Sequence, residues 1–180
     1  MENRRPGLVA HLYCCGPGLA GHDPQPSPGW AIGINHSVLG PYPVDCWALL
    51  DAEPFLEVKE RVGAQEWNRL RATTRILTHP GWIEVLESKG GSADGWLIDI
   101  IGKPLCGSTV VTTLTWLSRL TGFRRIELYG APMKGREYYG TRIMRNQDWY
   151  VRNRWAKERR AVADLMWTGH ERGTRIYRVK

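Results

Sequence analysis

Asp51, Asp148 and His36 are the side chains whose type and placement suit them to take a proton. Asp51 and His36 stand just past apolar runs, and Asp148 stands at the start of a helical pattern. A carboxylate or imidazole within reach of a substrate hydroxyl acts as a general base. As turn or cap residues the same carboxylates would only accept backbone N–H groups. A second set suits an anion. Lys134, Arg136, Tyr138 and Tyr139 crowd the stretch APMKGREYYG, and cationic and phenolic groups together bind phosphate oxygens and stabilise charge growing on a leaving group. The third set is small and polar: Gly16-Pro17-Gly18, Asn35, and Gly107-Ser108-Thr109. Hydroxyls after a glycine suit a helix N-terminus, where unpaired N–H groups and the helix dipole attract anions.

The elements around these residues predict where they go. LVAHLYCC reads as a buried strand stopped by the Gly16 turn. Trp30–Asn35 and Val44–Leu50 read as further short strands, the second ending on Asp51. Arg75–Thr78 is a fourth strand, Ile83–Leu86 a strand or a helical turn, and Trp96–Ile101 an apolar run. Ser88–Gly95, SKGGSADG, is flexible by composition and is the candidate for a mobile lid. Val111, Leu114, Leu117 and Leu120 recur at helical spacing after Ser108, and Thr121-Gly122 ends that helix. Arg125–Tyr129 is then a strand that stops at Gly130. Glu57–Ala72 and Asp148–Met166 are helical patterns, and Thr174–Val179 is a last strand. Alternation of this kind predicts an α/β domain over 1–180 with a mostly parallel sheet. In such a sheet Gly16, Asn35, Asp51 and Gly130 would line one edge, where ligands bind.

The composition narrows the partners. A formal net charge of +7 and a pI near 9.5 favour a substrate or partner carrying negative charge, such as a nucleotide, nucleic acid or acidic glycan. Cys14, Cys15, Cys46 and Cys106 lack CxxC spacing and nearby histidines, so buried reduced thiols in a cytoplasmic protein are expected and a zinc knuckle is not. No apolar run approaches a membrane span, and MENRRPG lacks the apolar core of a signal peptide. GPGLAG (16–21) fits the dinucleotide-binding pattern G-x-G-x-x-G, but the following HDPQPSPG holds three prolines and cannot continue the helix that pattern requires.

The order of a GPG turn, a strand ending in Asn, a strand ending in Asp, a GST helix start, the LTGFRRIELYG strand and a tyrosine-bearing loop resembles the Rossmann-like bacterial CMP-sialyltransferases. It is also similar to motility-accessory glycosyltransferase-like proteins and to archaeal 6-hydroxymethylpterin diphosphokinase-like proteins. The resemblance implies a single three-layer Rossmann-like domain with the nucleotide held by Gly16, Pro17, Gly18, Asn35, Gly107, Ser108 and Thr109. It implies too that Tyr138 or Tyr139 meets the donor phosphate. Two departures stand out. Gly130-Ala131-Pro132 replaces the family's Gly-x-Asp, and NQDWYVRN carries Asp148 where the sialyltransferases carry a histidine base.

These readings converge on a glycosyltransferase-like enzyme with a nucleotide-sugar donor. Asp51, Asp148 or His36 would be its base, and Lys134, Arg136 and the tyrosines would receive the leaving group. Arg152, Arg154, Arg159, Arg160 and the cations of 172–178 make a nucleic acid the expected acceptor class. Two alternatives remain at this level: a Mg²⁺-dependent diphosphokinase-like enzyme with the metal on Asp45 or Asp51, and a nucleotide- or nucleic-acid-binding protein without catalysis.

Overall fold

The computed structural model describes residues 9–16, 19, 29–96, 108–120, 122–131 and 148–179; for 96, 120, 148–152 and 154 it describes the backbone only. Among the described residues seven strands follow in chain order: β1 (Val9–Tyr13), β2 (Trp30–Ile34), β3 (Cys46–Leu49), β4 (Arg75–Thr78), β5 (Gly95–Trp96), β6 (Arg125–Tyr129) and β7 (Arg175–Arg178). They form one sheet in the order β5-β4-β3-β2-β1-β6-β7, and every neighbouring pair is parallel. The helices are α1 (Glu53–Thr73), α2 (Ile83–Ser88), α3 (Thr109–Leu120) and α4 (Asp148–Glu171). The chain begins at an inner strand, steps outward to β5, and returns to the far side of β1 for β6 and β7. β1 and β6 therefore flank the point where the strand order reverses, as in Rossmann-like α/β folds.

Alternation along the short strands sends side chains to two faces. On one face Ala10, Leu12, Ile32, Ile34, Ala48, Ile126, Leu128 and Ile176 meet Val111, Leu114 and Leu117 of α3 and Val162 and Leu165 of α4, all buried. On the other, Trp47, Leu49 and Ile76 meet Phe55, Val58 and Leu70 of α1 and Leu86 of α2. Helix, sheet and helix make the three layers.

Two helices differ from the sequence reading for local reasons. α1 starts at Glu53 rather than Glu57, because Pro54 in its first turn is pre-set for helical backbone. Its apolar face looked irregular because Gly63, at φ 71° and ψ 169°, breaks the helix and shifts the register. Ile83–Ser88 resolves as a helix, entered through the 3-10 turn Pro80–Trp82.

The expected lid is placed elsewhere. Asp94 accepts the Ile76 N–H through Oδ2 at 2.7 Å and lies 3.5 Å from Arg71 Nη1, while its own N–H donates to Ile76 O at 2.8 Å. These bonds tie the loop to the amino end of β4, across the sheet from the edge a lid would cover.

Candidate functional site

Because all seven strands point the same way, the residues after β3, β2, β1 and β6 emerge side by side at one edge, in the order Asp51, Asn35, Gly16, Gly130. Helices that link parallel strands run back against them, so α3 and α4 bring their N-termini to this same edge. Ser108, Thr109 and the backbone of Asp148 belong there. The reversal between β1 and β6 is the place where such sheets leave a crevice for a ligand.

The geometry of that crevice is fixed by backbone. The Cys14 N–H donates to Tyr129 O at 2.9 Å and the Gly16 N–H to Gly130 O at 2.8 Å, carrying the ladder past the strand ends. Gly130 sits at φ 59°, and a Cβ there would stand 2.8 Å from Cys14 O and from Leu19 Cβ. A side chain would wedge the two strand ends apart.

Asn35 carries a second constraint. With φ 50° it is the only described non-glycine residue in the left-handed region, which Asn tolerates better than most residues. The Trp47 indole donates to Asn35 O at 2.7 Å, and the Thr109 hydroxyl donates to Asn35 Oδ1 at 3.4 Å. Two residues 74 apart in sequence thus join the end of β2 to the start of α3. The Ile34 N–H donates to Ser37 Oγ at 2.7 Å and completes the turn.

Other expected residues are differently occupied. Ser108 is fully buried and its Oγ accepts the Val111 N–H at 3.4 Å, so it caps α3 rather than facing a ligand. With Thr109 turned to Asn35, what this terminus offers an anion is its backbone N–H groups. His36 is buried with Nε2 2.5 Å from Glu57 Oε2, which ties the imidazole to α1 and away from a substrate. Asp51 is exposed and, as strands lie about 4.8 Å apart, stands on the order of 10 Å from the line of β1.

Asp45 leaves the site altogether. It precedes β3, and its Oδ2 accepts the Ala31 N–H at 2.9 Å. At about 3.3 Å per residue it lies roughly 20 Å from Asp51, at the opposite edge. Pro17, Gly18, Gly107, Lys134, Arg136, Tyr138, Tyr139 and the side chain of Asp148 lie outside the described residues.

Two features escaped the sequence reading. Glu158 on α4 is 1 % exposed. Burial foremost, with Cys15 and Glu158 adding to it, pushes the Cys14 thiol well up, which places this carboxylate near the end of β1. Its signal was legible: Glu158 falls on the stripe of Trp155, Val162 and Leu165. The second is a polar cluster on the face of β1 and β6 away from α3. Glu127 Oε2 lies 2.9 Å from His11 Nδ1 and accepts the Tyr129 hydroxyl at 2.7 Å, while Oε1 accepts Arg125 Nε at 2.9 Å. Burial alone would raise the Glu127 carboxyl, yet the Tyr129 hydroxyl, Arg125 and His11 together hold it below its ordinary value.

The described thiols are not nucleophiles. Burial pushes Cys15 up to about 12 and Cys46 up to about 11, and Cys15 Sγ donates to Ile34 O at 2.8 Å. Among the described residues no three potential metal ligands converge, and no helix is long and apolar enough to cross a membrane. The chain matches no protein-family model, no curated protein and no solved structure, so the residues of this edge are the whole basis for assigning it a chemistry.

Proposed function

We propose that this chain is a glycosyltransferase-like enzyme that holds a nucleotide-linked donor at the carboxyl edge between β1 and β6. The observation that carries the reading is the convergence at that edge of the Gly16–Gly130 backbone contact, the left-handed Asn35 and the N-terminus of α3. Backbone N–H groups of the Gly16 turn and of α3 suit phosphate oxygens. Lys134, Arg136, Tyr138 and Tyr139 follow β6 in sequence and are assigned to the leaving nucleotide.

In the transfer step the acceptor oxygen or nitrogen loses its proton to a carboxylate and attacks the anomeric carbon. The bond from that carbon to the donor phosphate breaks, and the nucleotide departs with the electron pair. Asp148, which opens α4 at this edge, is the assigned base, and exposed Asp51 is the alternative. The exposed cations of α4 and β7 support a polyanionic acceptor, nucleic acid above all. A Mg²⁺-dependent pyrophosphate transfer is left with Asp51 as its carboxylate at this edge.

Thermal unfolding with CMP-, UDP-, GDP- and ADP-linked sugars tests the assignment. A donor at about a hundred times its Kd stabilises the native state by about 2.7 kcal/mol, and Asn35→Ala removes the response. No shift with any donor, or ATP consumption that EDTA abolishes, overturns it.

A further inference from the structure

α4 buries the stripe Glu158, Val162, Leu165 and Gly169 and turns the opposite side to solvent. At 3.6 residues per turn, Arg160, Ala163 and Trp167 run along the middle of the outer side, with Lys157 on one flank and Arg159 on the other. Trp167 is 71 % exposed, against 39 % for Val85 and Tyr177, the next most exposed of the large apolar residues described. Arg160 stands two turns before it, roughly 10 Å along the axis. Among the described side chains, the exposed charges of α4, β7 and the turn between them are Lys157, Arg159, Arg160, Arg172, Arg175 and Arg178 against Asp164 and Glu171.

One solvated indole set among cations is the chemistry of single-stranded nucleic-acid binding. Every base has a π-face to stack on the ring, and the cations follow the backbone phosphates. A duplex keeps its base faces covered. An anionic membrane would call for a stripe of apolar residues, whereas Trp167 has Ala163, Asp164, His170 and Glu171 around it. We infer that the outer side of α4 docks single-stranded nucleic acid, with Trp167 stacked on an unpaired base and Arg159 and Arg160 on neighbouring phosphates. This gives the polyanionic acceptor of the reading above a docking surface, and it rests on that reading only for its link to transfer.

The test is fluorescence anisotropy of the full chain with labelled oligothymidylate, with no donor present. Trp167→Ala weakens binding about tenfold, while Trp167→Phe, which keeps a stacking ring, restores most of it. Arg159→Gln with Arg160→Gln lowers the slope of log affinity against log salt by roughly 1.4. All four substitutions are at exposed positions, and unchanged circular dichroism and melting show that the fold is kept. Salt-independent binding, equal affinity for duplex, or an undiminished Trp167→Ala variant overturns the inference. So does Trp167-dependent binding to phosphatidylserine vesicles without oligonucleotide binding. Failure here leaves the nucleotide-sugar shifts at the β1–β6 edge untouched, and failure of those shifts leaves oligonucleotide binding intact.

Discussion

One face of the sheet is built in two ways. Under α1, Trp47 and Ile76 pack on Phe55, Val58 and Trp67 with the aromatic centroids 5.0 to 6.3 Å apart. Two strands away, β1 and β6 present His11, Tyr13, Glu127 and Tyr129 on that same face, with the Arg125 guanidinium 4.9 Å above the Tyr177 ring. Parallel strands are ordinarily apolar on both faces. The apolar half is held by burial, which tolerates some repacking. The polar half is held by matched charges and donors, which do not tolerate the loss of one partner. It is the polar half that lies under the reversal of strand order. With Glu127 held by Tyr129, Arg125 and His11, the carboxylate cluster is a stiff support for an edge that must keep its backbone in place.

The largest expected effect tests the apolar half. Trp47→Ala removes a fully buried ring and leaves Asn35 O without its donor, at a cost of about 4 kcal/mol in denaturant unfolding. A cost under about 1 kcal/mol would show that burial of this ring does not hold the apolar half. Gly130→Ala comes next, because a left-handed backbone and the contacts with Cys14 O and Leu19 Cβ together cost about 2–3 kcal/mol. That variant also loses the thermal response to nucleotide sugars.

Glu127→Gln costs about 2 kcal/mol at neutral pH, since hydrogen bonds to a charged carboxylate become neutral ones. Its pH dependence follows from the direction of the shift. Glu127 titrates lower in the folded chain than in the unfolded one, so its contribution is present above the unfolded value of about 4.3. That contribution fades as pH falls through the folded value. The gap between wild type and variant should therefore close toward acid, and a gap independent of pH would show that the network is not ionic. The smallest effect belongs to Asn35→Ala, about 1 kcal/mol in stability with the nucleotide response abolished. An undiminished response would move the ligand away from β2.

Much of the architecture is legible in residue order. The apolar runs ending at Gly16, Asn35, Asp51 and Gly130 were enough to expect a parallel sheet with one ligand edge, and the Ser108–Gly122 segment carried both ends of α3. The lid was misplaced because Gly- and Ser-rich composition reports turn chemistry and says nothing of which end of a strand the turn serves. Asp45 and Asp51 looked interchangeable since both flank one strand, and only strand direction sends them to opposite edges. Glu158 drew no reading from the sequence, although within NRWAKERR it occupies the apolar stripe of Trp155, Val162 and Leu165 and is buried.

The sequence by itself determined the periodicities, the turns and the side-chain chemistry, because these depend on neighbours within a few residues. It determined that the strands would be short and buried and that α4 would be basic. The tertiary structure alone decided that Asn35 meets Thr109, that Ser108 and His36 are consumed inside the protein, and that Trp167 stays in water. It alone decided that His11 and Glu127 face each other across β1 and β6. Those outcomes turn on which strands become neighbours, and that choice is made by the burial of whole faces rather than by any local pattern.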